Sequence, residues 1–458
     1  MRAALALAAV SLAGCFNFNE CNLDSDCARL APDGGNPAGL FCTSDHFCVN
    51  GLPDERLCEP PLGAPLAQKP VIVAGLFRLS GAADAKDTEM ADAARLAIEE
   101  VSQLNQRPIA LYMCDTAGDD THSVRAFNHA LSLGAVAIVG PTTSSDLVAI
   151  APLAAQAHVL VVSPSATSPA ITDLPDRPFL WRTAASDTLQ AIVLAQQAKL
   201  LAPANAMPPS VLDLAYVDSV YGVGLDQAFI AAWGMQPKSA ISFPEGVDPT
   251  VPLGKLAMDK PTVSVLIADA DAAALVASLS TNQPLALAST QFLMTDGAKG
   301  LDLFGAMPNV QVLSRIRGTA PGEPSGATFN AFDSTYRDKF GQSSTSTSFV
   351  ANTYDAFYAV AFAIAGTPTQ VPLTGDALAG VMARLSTKPN TVRVGPEDYV
   401  KGVSALLSNG AIDLDGTSGP IDFNATTGDV LSAPIEIWDI DTSVPSMPKF
   451  RTLNTVTP

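Results

Sequence analysis

From residue 69 onward the chain alternates unbroken apolar runs with amphipathic stripes, and this alternation restricts the fold more than any other feature. Val71-Ile72-Val73-Ala74-Gly75-Leu76-Phe77 has no polar alternate, the pattern of a strand covered on both faces. Met90, Ala94, Ala97, Val101 and Leu104 then recur at helical spacing with Asp and Glu between them. Strand-like runs return at 109–114, 136–140 and 159–162, separated by helical patterns at 124–133 and 147–157. The order β-α-β-α-β-α-β predicts a parallel sheet flanked by helices. The same rhythm restarts at 211–217, 263–268 and 291–294, so a second α/β unit follows the first. After Arg317 the pattern is mostly helical, at 329–340, 349–365 and 375–385, and the tail from Asp413 reads as strands and turns.

Ahead of this region the texture differs. Residues 15–66 are rich in turn formers and hold Cys15, Cys21, Cys27, Cys42, Cys48 and Cys58; the seventh cysteine is Cys114. A module this small buries too little core to fold unaided and needs cross-links. Cys21/Cys27 and Cys42/Cys48 form two Cys-x5-Cys pairs. In an exported chain they are expected to oxidise. Zinc is the rival, although Cys-x5-Cys is wider than the usual finger spacing. Setting Cys15 aside, six cysteines allow 15 pairings, and spacing does not choose among them. The proline-rich stretch 60–65 reads as a linker.

The net charge of −19 and pI near 4.4 argue against nucleic acid, whose phosphates need a basic surface. They argue equally against a polybasic membrane patch. Four histidines, His46, His122, His129 and His158, leave little material for a metal or catalytic centre. No cofactor and no metal are expected.

In open parallel sheets ligands bind beyond the carboxyl ends of the strands. The corresponding loops (78–87, 115–120, 141–146, 163–169, 218–224, 269–271 and 295–299) are made of Ser, Thr, Asp, Gly and Tyr. Gly140-Pro141-Thr142-Thr143-Ser144-Ser145 joins a strand to a helix, and free N–H groups at such a helix start attract a carboxylate. The plainer reading is that Ser144 or Ser145 only caps the helix. Ser163-Pro164-Ser165-Ala166-Thr167-Ser168-Pro169 closes the next strand with more hydroxyls, or is simply a proline-rich turn. Gly222-Val223-Gly224 with Glu245 downstream imitates a dinucleotide fingerprint, but the glycines do not follow the strand directly. Asp413-Leu414-Asp415-Gly416 hints at a calcium loop and lacks the later ligands. No Gly-x-Ser-x-Gly, His-Glu-x-x-His or phosphate-loop motif occurs, so an enzyme is not expected.

The two hydroxyl loops, in this order, resemble the type I periplasmic binding-protein family, above all the branched-chain amino-acid receptors of ABC importers. The resemblance extends through Leu79-Ser80-Gly81, Arg182-Thr183, Asp218-Ser219-Val220-Tyr221-Gly222-Val223-Gly224, Thr353-Tyr354-Asp355-Ala356, the stretch from Gly416 to Phe423, and Gly428-Asp429. It implies two doubly wound α/β lobes joined by a hinge. Lobe one would take 67–185 and 319–430, and lobe two 186–318 and 431–458, behind the Cys-rich module and linker of 15–66. It implies a solute held between the lobes, an amino acid or related small polar solute, delivered to a permease in the inner membrane. By the same resemblance Ser144 would hydrogen-bond the ligand carboxylate, Thr167 would bind its carboxylate or amine region, and Ser145 is a further ligand-binding residue. Ser165 would offer backbone groups, Tyr221 would close over the ligand, and Asp296 would face its ammonium. Thr143 stands where some relatives carry a cysteine, so Cys114 must find another partner, Cys58 being the one expected, or stay free. The first loop lacks the aromatic residue that lines the family's side-chain pocket, and Lys86 with Arg78 point to a polar or acidic ligand. A ligand-sensing surface lipoprotein, not coupled to transport, is the alternative.

The N-terminus supplies the compartment. Arg2 precedes an apolar run, Ala3 to Ala13, broken only by Ser11. That is too short to span a bilayer and has the size of a signal-peptide core. Leu12-Ala13-Gly14-Cys15 resembles the bacterial lipobox. This implies a signal peptide of residues 1–14, a lipid on Cys15, and anchorage in the cell envelope on the periplasmic face or outer membrane.

Overall fold

A computed structural model describes residues 21, 27, 40–43, 46–50, 56–80, 85–104, 107–175, 178–202, 212–269, 271–281, 287–305, 309–322 and 325–458. Cys15 with its lipobox, the signal segment, and residues 81–84 of the first strand-end loop lie outside them. The chain divides into two compact units, Met1–Leu57 and Cys58–Pro458.

In the first unit a short antiparallel pair, β1 (Leu40–Cys42) and β2 (Cys48–Asn50), is stapled by disulfides Cys21–Cys42 and Cys27–Cys48. The sulfurs of Cys21, Cys27 and Cys42 lie within 4.8 Å of one another, near enough for a metal. They are taken up in disulfides instead.

The second unit holds two large sheets. The first runs β3 (Leu62–Gly63), β5 (Ile109–Asp115), β4 (Val71–Phe77), β6 (Ala135–Val139), β7 (Leu160–Ser163) and β8 (Leu180–Arg182) in spatial order, parallel except for the edge strand β3. Helices α1 (Ala85–Leu104), α2 (Asp120–Ser132) and α3 (Ser144–Ala157) connect its strands. Strand order reverses around β4, so the loops after β4 and β6 flank the switch point where a ligand crevice opens. Cys58 pairs with Cys114 of β5, the partner expected once Thr143 replaces the family's cysteine.

After β8 the chain crosses into α4 (Asp187–Leu201) and builds the second sheet. The strands are β9 (Leu212–Val217), β10 (Ala240–Phe243), β11 (Val263–Ile267), β12 (Gln291–Met294) and β13 (Ile316–Pro321). They alternate with α5 (Val220–Trp233), α6 (Thr250–Asp259), α7 (Ala272–Thr281) and the single turn α8 (Val310–Leu313). The spatial order is β10-β9-β11-β12-β13, parallel, and is completed by two antiparallel strands. Ile316–Pro321 corrects the expectation that helix dominates once Arg317 is reached. Gly318 gives that strand its place: a Cβ there would lie 2.1 Å from the ring of Trp438.

The chain then returns to the first lobe's core with α9 (Gly326–Phe340), α10 (Val350–Gly366), α11 (Gly375–Met382) and α12 (Pro396–Leu407). The small sheet of β14 (Thr391–Arg393), β15 (Asp413–Gly416) and β16 (Gly419–Pro420) accompanies them. Helix α10 is buried along nearly its whole length and shares one apolar cluster with α1 and the strands of the first sheet. The chain ends in β17 (Ile435–Asp441) and β18 (Lys449–Val456) on the second sheet, whose apolar cluster is separate. Burial of apolar surface on this scale is the main stabilising term. Among the described residues no helix is long and apolar enough to cross a membrane.

Candidate functional site

The two hydroxyl loops of lobe one are laced into one surface. Gly140 turns the chain with φ 104°, and a Cβ there would strike the Leu76 carbonyl at 2.4 Å. Thr143, not Ser144 or Ser145, caps α3: its Oγ1 accepts from the Asp146 N–H at 3.1 Å. Ser144 is buried and its hydroxyl accepts from the Ser168 N–H at 3.2 Å, while Ser145 is partly buried. Ser165 donates from Oγ to the Thr142 carbonyl at 2.7 Å, and Ser163 does the same to Pro141.

Arg182 at the end of β8 locks this surface from behind. Its buried guanidinium donates to the carbonyls of Ala166 and Ser168 at 3.2 and 2.9 Å. It also pairs with Asp429 at 2.6 Å and donates to Thr172 Oγ1 at 2.8 Å. Asp115 performs a similar service for the first loop, accepting from the N–H groups of Leu79, Ser80 and Ala117. Loop 115–120 therefore supports the loop that follows β4.

Three residues converge on the lobe-two side. Tyr221 enters from the first turn of α5 and is buried. Its phenol shares a hydrogen bond with Thr295 Oγ1 at 2.7 Å and donates to Asp296 Oδ1 at 3.0 Å. Asp296 opens a short 3-10 turn after β12 and is 2% exposed. Burial pushes its carboxyl up to about 6, against the opposing pull of Gln190, Lys86 and Tyr221.

The third is Asp187, the first residue of α4. Its N–H donates to the Thr167 carbonyl at 2.9 Å. Its carboxylate is fully buried and neither oxygen is met at full hydrogen-bond geometry. The Thr167 hydroxyl stands beside it as a donor. Burial first, then the neighbouring charge of Asp296, drives its carboxyl well above the ordinary range. Gln190, one turn along α4, donates to Thr319 at 3.2 Å and supports Asp296. Residues three apart on a helix share a face, so Asp187 and Gln190 reach the same place. Sequence reading passed over Asp187 because the strand before it, β8, is only three residues long and gives no apolar run to read, and because Ser186-Asp187 looks like an ordinary helix cap.

The lobes touch on both sides of this cluster. Ser168 Oγ donates to the Val220 carbonyl at 2.9 Å. Lys86, from the first turn of α1, forms an ion pair with Asp269 beyond β11. Gly222 and Gly224 lie inside α5 and serve packing: a Cβ on Gly222 would overlap the Val217 carbonyl at 1.9 Å, and one on Gly224 would press on Ser168 Oγ at 2.5 Å. They make no phosphate-binding turn. The structure thus brings Ser144, Thr167, Tyr221 and Asp296 into one linked neighbourhood. It turns the Ser165 hydroxyl back into the loop.

Comparison with known proteins agrees with this architecture. Residues 89–200 match the model of the receptor family ligand binding region. The chain is 30% identical over 138 residues to the Leu/Ile/Val-binding protein BraC3 of Rhizobium johnstonii, covering 29% of this chain and 37% of that protein. It is 28% identical over 221 residues to the chemotactic signal transduction system substrate-binding protein BasB of Halobacterium salinarum, covering 46% and 51%. The chain thus spans about a third to a half of the length of these curated relatives. Among solved structures, the leucine-binding protein LivK of Thermotoga maritima superposes with a TM-score of 0.67 at 19% identity, covering 85% of this chain and 99% of that one. The chain has the fold of a type I periplasmic binding protein and resembles the branched-chain amino-acid receptors.

Proposed function

We propose that this protein captures an α-amino acid between its two lobes as the solute-binding component of an ABC importer, held at the cell envelope by a lipid on Cys15. The observation that carries this reading is the buried pair Asp187 and Asp296: burial raises both carboxyls, and the charge of Asp296 raises that of Asp187 further. Two carboxylates in a dry site are costly without a cation, and a ligand ammonium supplies one. Across the cleft, the start of α3 with Ser144 and Ser145, and the hydroxyl of Thr167, would take the ligand carboxylate. Tyr221 would close over the ligand. The lobes would span 67–185 with 319–430, and 186–318 with 431–458, opening and closing on the crossovers. The role is binding without bond-making chemistry.

A thermal-shift screen against α-amino acids, sugars and aromatic acids tests this. Amino acids should raise Tm. Stabilisation by another class alone would refute the reading. The match to a chemotactic substrate-binding protein favours a second reading, a sensor that reports the ligand to a partner. Cells lacking the protein would then keep amino-acid uptake and lose the response.

A further inference from the structure

The Lys86–Asp269 ion pair is left over once the two ends of an amino acid are placed. Lys86 is 8% exposed and comes from lobe one; Asp269 comes from lobe two. Both act electrostatically on Asp296, Lys86 favouring its charge and Asp269 opposing it. Asp269 also packs against the turn that Asp296 opens, where a Cβ on Gly297 would lie 3.1 Å from its Cα, so a ligand whose ammonium sits at Asp296 has this pair beside it. Lys86 and Arg78 together hold the Asp269 carboxyl below its ordinary range, so Asp269 is a carboxylate at neutral pH. Arg78 is itself buried, 3.9 Å from Asp87.

Three kinds of side chain meet such a pair differently. An apolar one covers both charges and gives neither a hydrogen bond. A charged one binds one partner and strands the other in a water-poor cleft. A carboxamide has an acceptor for the ammonium and donors for the carboxylate, and it disturbs neither charge. We propose that the Lys86–Asp269 pair reads the ligand side chain and selects a carboxamide amino acid, of the asparagine or glutamine type, over a branched-chain one. This rests on the amino-acid reading given above.

The test is calorimetric titration of the full mature chain with L-asparagine, L-glutamine, L-leucine, L-glutamate and L-lysine. One of the amides should bind at least about tenfold tighter than the other three, the scale on which hydrogen-bonding sites discriminate. The paired variant Lys86→Met with Asp269→Leu removes both charges together and leaves no lone buried ion. It should lose that preference and gain affinity for leucine. Wild-type preference for leucine, glutamate or lysine would overturn the proposal while leaving amino-acid capture intact, as would a paired variant that still prefers amides. If the paired variant does not fold, the wild-type panel decides alone. Failure of every amino acid to bind would sink both readings.

Discussion

Tyr221 donates its phenol proton to Asp296 at 3.0 Å, and both groups are buried. Burial and the charges of Asp296 and Asp187 keep that phenol protonated far beyond neutral pH, so it remains a donor. One oxygen of Asp296 is thereby oriented, and the carboxylate is set to receive a cation. Replacing Asp296 or Asp187 with Asn keeps the shape and removes the charge. A charged hydrogen bond is worth about 1.5–3 kcal/mol, so each variant should weaken amino-acid binding about 10- to 100-fold by calorimetry. Asp187→Asn should leave the Tm of the ligand-free protein unchanged or raise it, because it relieves a desolvated carboxylate.

The raised carboxyls make stability and affinity respond to pH in opposite directions. Burial lifts Glu89 to about 7 and Asp355 and Asp296 to about 6. A carboxyl whose folded pKa exceeds its unfolded value contributes stability that is complete below about pH 4 and is lost as pH rises through the folded pKa. The ligand-free Tm should therefore fall between about pH 5 and 8. Asp269, held low, acts below that window. Ammonium binding needs Asp296 ionised, so affinity should rise as pH passes through about 6. Melting curves with and without ligand at each pH measure both slopes.

Arg182 is the structural centre of the lobe-one loops. It is 1% exposed and binds Asp429, Thr172 and the carbonyls of Ala166 and Ser168. Arg182→Met leaves Asp429 without its cation and should cost about 3–5 kcal/mol in denaturant unfolding. Arg182→Lys should recover little, since one ammonium cannot replace the fork.

The Cys58–Cys114 disulfide links residues 56 apart at the edge of the first sheet. The loop-entropy relation assigns such a cross-link about 4 kcal/mol. The double variant Cys58→Ser with Cys114→Ser should lower the unfolding free energy by up to that amount while leaving ligand affinity unchanged.

The uninterrupted strands and their helices could be read from pattern because burial on both faces demands unbroken apolar runs, as in Val71–Phe77 and Val263–Ile267. Ala240–Phe243 escaped because it is an edge strand with exposed positions. Ile316–Pro321 escaped because Arg317, Gly318 and Thr319 break its apolar run, a pattern set by Trp438 packing from another strand. Pro396–Leu407 was missed although Pro396 opens it and Glu397 and Asp398 follow in its first turn, an ordinary helix start. At the site, Ser144, Thr167, Tyr221 and Asp296 stand at or next to strand ends, where the rule for open sheets looks. Asp187 follows β8 as closely as Ser144 follows β6, but Leu180–Arg182 is too short a run for pattern to mark as a strand, and the importance of Asp187 comes from a neighbour 109 positions away, Asp296, which no local pattern records.

The central claim is that a ligand ammonium lies between Asp187 and Asp296. The most direct measurement compares, at pH 7.5, the tightest-binding amino acid of the panel with the α-hydroxy acid bearing the same side chain. The hydroxy acid keeps the carboxylate and the side chain and loses only the cation. The account predicts that it binds at least about 100-fold more weakly, the cost of leaving buried carboxylates unpaired. Equal affinity for the two would contradict it.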